Sequence, residues 1–346
     1  MHDHLHEADE NIYFPAEIFT GFGAAKTRFV INAVKEGKHA AIVIISHINL
    51  LVAGWLIKKI NPAVKIILLA HGIEIWGQIS REKRNMLNCC EKILCVSRYT
   101  LETIAAKHSL PKNKLAVLNN CLDPFLNNQL IDVANDNVRK KYSFLADDIV
   151  LLTLTRLSAK DRYKGYDVVL AAMTKLVKQN KNIKYLLAGG CSKDEQIFIK
   201  HLIKENALEH NVVLAGYIPE EELAAHFAMA DLYVMPSTKE GFGIVFIEAM
   251  YYGIPVIAGN KDGSTDALLN GKLGLLIEPN NPLEIELAVK KIIENKNTYK
   301  PNHHLLMANF GYEAYKSKLE EILEATAHSP SVPRRGRLVS EILNFF

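Results

Sequence analysis

Asp231-Leu-Tyr-Val-Met-Pro-Ser-Thr-Lys-Glu240-Gly-Phe-Gly-Ile-Val-Phe-Ile-Glu248 is the stretch that decides the fold. Asp231 to Met235 opens it with an apolar run too short for a stable helix, which reads as a buried strand. Pro236 and Ser237 are turn residues, and a helix opens after Gly241 and Gly243. The two glycines leave the backbone bare at that opening, where unpaired N–H groups and the positive end of the helix dipole can face an anion.

The same rhythm extends in both directions from this unit. Upstream, Ala41 to Ser46, Val64 to Ala70, Lys92 to Val96 and Lys114 to Leu118 predict strands, with Ser97 placed to cap the helix after the third. Around the opening stretch, strands are expected near 149–155, 183–188, 211–215, 231–235, 254–258 and 273–277. Short β-rich runs alternating with helical segments make the class α/β, with parallel sheets and covering helices. The polar interval Asp123 to Asp147, with its Asp123-Pro124 turn signal, suggests a boundary. It gives a first domain over 1–135, a second over 136–325 and a tail over 326–346. Residues 1–40 supply no clear opening strand, and Gly21-Phe22-Gly23 reads as a turn or a weak phosphate loop, so the first domain is expected to begin partway through.

Composition narrows the function. A net charge of +3, with Lys and Arg spread along the chain, announces no nucleic-acid surface. Cys89, Cys90, Cys95, Cys121 and Cys191 are odd in number and lack the spacing of zinc or thiol-exchange pairs, which suits a reducing compartment. No secretion signal is evident, and the most apolar stretch, Ala40 to Ile57, is interrupted by His47, Asn49 and Gly54. His2, His4 and His6 read as solvated chain.

At the helix start, a diphosphate is the natural anion, and two acids bracket it: Glu240 before the helix and Glu248 about two turns into it. One carboxylate can meet a sugar while the other accepts hydrogen bonds from ribose hydroxyls. The competing reading makes Glu240 a dipole-favoured acid, Glu248 a solvated helix residue, and Phe242 and Phe246 core. Arg156, ending the 149–155 strand, and Lys164-Gly165, at the next helix start, add cations where α/β sheets bind ligands; surface salt bridges are their alternative reading.

Together these residues resemble glycosyltransferase family 4, whose donor site carries a Glu-x7-Glu motif. The likeness continues through His71-Gly72-Ile73-Glu74, Val96-Ser97, Asn120-Cys121-Leu122-Asp123, Leu187-Ala188-Gly189-Gly190 and Gly216-Tyr217, covering about 40–325. It departs where Cys121 replaces a usual Gly, where the Arg156 to Lys164 turn is long, and where Gly263-Ser264-Thr265-Asp266 replaces a Gly-Gly-x-x-Glu pattern. The resemblance implies a GT-B fold, two Rossmann-like doubly wound domains facing across a cleft. It implies that Arg156 and Lys164 neutralise the leaving diphosphate, that Glu248 binds ribose, and that Glu240 contacts the sugar within the loop Glu240, Gly241, Phe242, Gly243. His71 is then a catalytic contact to the sugar from the first domain, and Gly216 and Tyr217 approach the base.

The implied activity is a retaining hexosyl transfer from a nucleotide diphosphate sugar to a saccharide or glycolipid acceptor, with no metal, since the chain has no Asp-x-Asp. A catalytically impaired nucleotide-sugar-binding protein and a sugar-nucleotide epimerase are the alternatives. The expected location is the cytoplasm, with peripheral membrane association through Arg334, Arg335 and Arg337 before Leu338, Val339, Ile342, Leu343, Phe345 and Phe346, or a plain terminus in its place.

Overall fold

The computed structural model describes residues 12–126 and 137–327, so the basic and apolar tail singled out above lies outside the described residues. The described chain forms two compact units, one of residues 12–118 with 313–327 and one of residues 119–126 with 137–312.

In the first unit, β1 (Ile42–Ile45), β2 (Lys65–Ala70), β3 (Lys92–Cys95) and β4 (Leu115–Val117) form a four-stranded sheet in sequential order. Every pairing is parallel. The strands are near-continuous apolar runs because helices cover them. Ile66, Leu68, Ile93 and Cys95 build a core with Leu51 and Ile57 of the helix Leu51–Ile60 and Ile104 of Arg98–His108. Ser97 Oγ caps the latter by accepting from the Thr100 N–H at 3.0 Å. Gly21-Phe22-Gly23 forms an ordinary turn, closed by the Ala25 N–H donating to the Phe22 carbonyl at 3.0 Å, ahead of the helix Lys26–Gly37.

The helix Tyr312–Ala327 completes this unit. Its Leu319 and Leu323 pack with Ile42, Ile67, Leu94 and Leu118. Lys65, fully buried on β2, donates from Nζ to the Thr326 carbonyl at 2.5 Å. An ammonium there meets the carbonyl-rich, negative end of the helix. Residues 313–325, assigned to the second domain from sequence, therefore lie with the first. At the other crossing, Leu122 is buried and its N–H donates to the Phe310 carbonyl at 2.8 Å, so the chain enters the second unit at 118/119, upstream of the expected 135/136 division.

The second unit is a parallel six-stranded sheet of β5 (Ile149–Leu154), β6 (Ile183–Ala188), β7 (Val212–Gly216), β8 (Leu232–Met235), β9 (Val256–Gly259) and β10 (Leu275–Ile277). Its order is β10-β9-β8-β5-β6-β7. The chain winds outward from β5 through β6 and β7, then crosses back to start at β8 on the other side. Tyr166, Val169 and Met173 of the helix Tyr166–Gln179 and Ile285, Val289 and Ile292 of Pro282–Glu294 seal one core against it.

Candidate functional site

The reversal of winding leaves a crevice beyond the carboxyl ends of β5 and β8, the position where doubly wound sheets take their ligands. The floor is rigid. Tyr233 on β8 donates from its hydroxyl to the Leu154 carbonyl on β5 at 3.0 Å, and Thr153 Oγ1 donates to the Val234 carbonyl. What leaves these two strands at that end is Arg156 on one side and the loop of Ser237 to Gly243 on the other.

That loop ends in the helix Ile244–Tyr251, capped by Gly243 at φ +89. A Cβ at Gly243 meets Phe246 Cδ2 at 2.4 Å, so the position demands glycine twice, by conformation and by space. Phe242 and Phe246 are buried, as the core reading of those two rings required. Glu240 is not a free helix-start acid: its Oε1 is ion-paired with Lys164 Nζ, and the two side chains are 12% and 14% exposed.

Lys164 arrives through the long turn. Ala159–Lys164 forms a 3₁₀ segment that Gly165 ends at φ +79. Arg162 holds it down with a bidentate pair to the buried Glu195, at 2.8 and 2.9 Å, and Tyr166 donates to the same carboxylate at 2.8 Å. The Thr238 N–H donates to the Tyr163 carbonyl at 2.9 Å, joining this segment to the Glu240 loop. Arg156 stands apart, 81% exposed, with only a 3.5 Å approach to Asp161 Oδ1. The extra residues of this turn thus form a pinned support for one cation and leave the other in solvent.

Beneath the Glu240 loop lies Asp262, 1% exposed. Its Oδ2 accepts from the Glu240 N–H at 2.6 Å and from the Ser237 hydroxyl at 2.8 Å, while Oδ1 accepts from the Ser264 N–H at 2.9 Å. The next residue reciprocates, the Gly263 N–H donating to the Glu240 carbonyl at 2.8 Å. A Cβ on Gly263 falls 2.1 Å from the Gly241 carbonyl oxygen, so only glycine permits this approach. Burial pushes the Asp262 carboxyl up, against the pull of these donors.

Glu248 is partly buried on the helix Ile244–Tyr251. Burial, followed by the negative charges of Asp123 and Glu220, pushes its carboxyl up to about 7. It is no solvated helix residue. Gly216 ends the edge strand β7 at φ +76, and Tyr217 follows with 75% of its surface exposed, an open aromatic face at the carboxyl end of the sheet, one strand removed from β5. In the first unit, His71 follows β2. Its N–H donates to Glu74 Oε1 at 2.7 Å, and its Nε2 stands 2.7 Å from the Ser46 carbonyl. A carbonyl only accepts, so Nε2 is the donor in this contact.

Residues 134–317 match the family described as glycosyl transferases group 1. The chain belongs to that family. A similar curated relative is the GDP-mannose-dependent alpha-(1-6)-phosphatidylinositol monomannoside mannosyltransferase of Mycolicibacterium smegmatis, 28% identical over 276 residues. That alignment covers 75% of this chain and 70% of the relative. The chain spans about half the length of two other curated relatives, 51% and 46%. Among solved structures, a glycosyltransferase from Rickettsia africae has a TM-score of 0.76 at 19% identity, covering 94% of this chain and 88% of that one. Anabaena Alr3699/HepE in complex with UDP-glucose has a TM-score of 0.73 at 19% identity, covering 90% and 86%. These likenesses establish the GT-B fold for both units.

In this group 1 glycosyltransferase the second unit brings Lys164, Glu240, Gly241 and Gly243 together after β5 and β8 and leaves Arg156 exposed at the end of β5, while His71 belongs to the first unit. Two features went unread in the sequence. Glu195, holding the long turn, sits 33 residues from Arg162, and Asp262 sits 22 residues from Glu240. A partial signal for the second existed in the non-standard Gly263 to Asp266 segment, which directly follows Asp262. Among the described residues no helix is long and apolar enough to cross a membrane.

Proposed function

We propose that this chain transfers a hexose from a nucleoside diphosphate donor to a saccharide or lipid-linked acceptor, with retention at the anomeric carbon and with cationic side chains in the place of a metal. The observation that carries the reading is the Lys164–Glu240 pair at the β5/β8 switch point, beside the glycine-started helix. An ammonium has three N–H donors, so Lys164 can hold Glu240 with one and a phosphate oxygen with the others. That joint contact puts a sugar-facing carboxylate one ion pair away from the departing diphosphate. Arg156 and the exposed N–H groups at the helix start add to the stabilisation as the anomeric C–O bond breaks through an oxocarbenium-like state.

Relatives agree with a nucleotide sugar as donor: the mycobacterial enzyme is named for GDP-mannose, and HepE was solved with UDP-glucose. Glu248 and Tyr217 supply the ribose and base contacts in this reading, and His71 the contact to the sugar from the first unit. Cytoplasmic residence with peripheral attachment to the inner face of the cell membrane suits an enzyme with free cysteines and a lipid-linked acceptor.

Two measurements test it. UDP or GDP is expected to bind with micromolar affinity in the presence of excess EDTA, and donor turnover is expected to continue unchanged. Loss of both on chelation would overturn the metal-free mechanism. Glu240→Gln is expected to lower kcat about 30-fold, with nucleoside diphosphate affinity changed less than about 3-fold. Parallel losses in kcat and affinity would remove Glu240 from the reacting sugar.

A further inference from the structure

We propose that Asp262 is a positioning residue for sugar transfer, acting through the peptide group of Glu240 to set where the Glu240 carboxylate and its Lys164 partner stand. The inference rests on the reading of Glu240 as the contact to the donor sugar. Its basis is an unusual distribution of hydrogen bonds. An Asp next to a short helical turn ordinarily spends its carboxylate locally, as Oδ1 does here on the Ser264 N–H at 2.9 Å. Oδ2 does something different, accepting from Glu240 and Ser237, on the loop that leaves β8.

A buried carboxylate is costly, and natural folds keep one where its donors repay the lost hydration. Asp262 is compensated by N–H and O–H groups, with no cation paired to it among the described residues. Those donors come from the crevice loop and from Ser264, so the free energy of satisfying the charge is released only when the loop takes this one path. Both peptide groups that flank the Glu240 Cα are gripped, the N–H of the one before it by Asp262 and the carbonyl of the one after it by the Gly263 N–H. Fixing the two planes fixes the direction of the Glu240 Cα–Cβ bond between them, and the Lys164 pair fixes the far end of the side chain. Displacements near an ångström at a reacting centre are enough to slow transfer by about 100-fold.

Asp262→Asn tests this with little change in volume. When the Asn carbonyl accepts from Ser264, its NH2 group faces the Glu240 N–H, donor against donor, and the clamp opens. Release of UDP or GDP from the sugar donor is expected to fall about 10- to 30-fold in kcat, while UDP and GDP themselves bind within about 2-fold of the parent chain. Because the effect passes through Glu240, adding Asp262→Asn to Glu240→Gln is expected to cost less than about 3-fold more. Amide hydrogen exchange at Glu240 is expected to accelerate in Asp262→Asn, with β8 and β9 unchanged, a reading that requires no turnover. Full additivity of the two substitutions, an equal fall in nucleotide affinity and kcat, or unchanged exchange at Glu240 each overturns the proposal. Wild-type kcat in Glu240→Gln overturns instead the assignment of Glu240 on which it rests, and is recognisable because that single variant reports it alone.

Discussion

Replacing Glu248 by Gln is expected to weaken UDP or GDP binding about 30-fold and, at pH 8, to make the protein melt at a higher temperature. Both effects come from one partly buried carboxyl whose burial and acidic neighbours raise it to about 7 from an ordinary 4.5. Below pH 4.5 folded and unfolded chains both hold the proton. Between 4.5 and 7 only the folded chain does, so this group's contribution to stability is present at low pH and is lost as pH rises through 7. Above 7 the charged form costs about 2 kcal/mol, after discounting the raw shift for partial exposure. Gln carries no charge and escapes that cost, which for a domain of this size corresponds to a rise of about 5 °C. At pH 4, below both values, the two proteins should melt nearly together. Affinity moves the other way, because a carboxylate accepts from two ribose hydroxyls at once and the Gln carbonyl replaces only part of that. Differential scanning calorimetry at pH 4 and 8 with parallel titration calorimetry reads both, and coincident melting at pH 8 would mean that Glu248 is not held charged at a cost.

Such a residue looked like an ordinary exposed helix acid in one of two sequence readings, and its spacing from Glu240 was the only local hint otherwise. The strands were far more legible. Ile183–Ala188 was read to the residue and the other nine within one or two positions at each end, because a strand covered on both faces must be apolar along its whole length. Side chains joined over long sequence separations were not legible. Tyr312–Ala327 reads locally as one more amphipathic helix of the second domain, and only the packing of Leu319 and Leu323 on Ile67 and Leu94 assigns it to the first unit. Asp123 and Pro124 do form a turn, the Phe125 N–H donating to Asp123 Oδ1 at 2.8 Å, but a turn signal marks a bend and carries no information on which core the flanking Leu122 joins. Arg162 and Glu195 are in the same position: two charges far apart in sequence whose pairing depends on how the long turn folds back on the helix Lys193–Glu205.

The largest loss of ligand affinity is expected from replacing Arg156 and Lys164 together by Ala, with UDP or GDP binding falling about 100- to 1000-fold and binding of uridine or guanosine changing less than about 3-fold. In the proposed site each cation would supply a charge-assisted contact to a phosphate oxygen worth about 1.5 to 2 kcal/mol, and a nucleoside has no phosphate to lose. The two cations should differ in kind. Arg156, 81% exposed, is screened by salt, so its share of the affinity declines as ionic strength rises. Lys164, 14% exposed and paired with Glu240, keeps most of its share at high salt. Removing Lys164 also leaves the Glu240 carboxylate partly buried without its cation, which lowers stability in a way that removing Arg156 does not. Arg156→Ala alone is therefore the control for a folded crevice: an unchanged melting temperature, a loss of diphosphate affinity concentrated at low salt, and nucleoside affinity intact. Titration of diphosphate and nucleoside against all three variants at 50 and 500 mM salt separates these contributions, and equal losses for the two ligands would take both cations away from the phosphates.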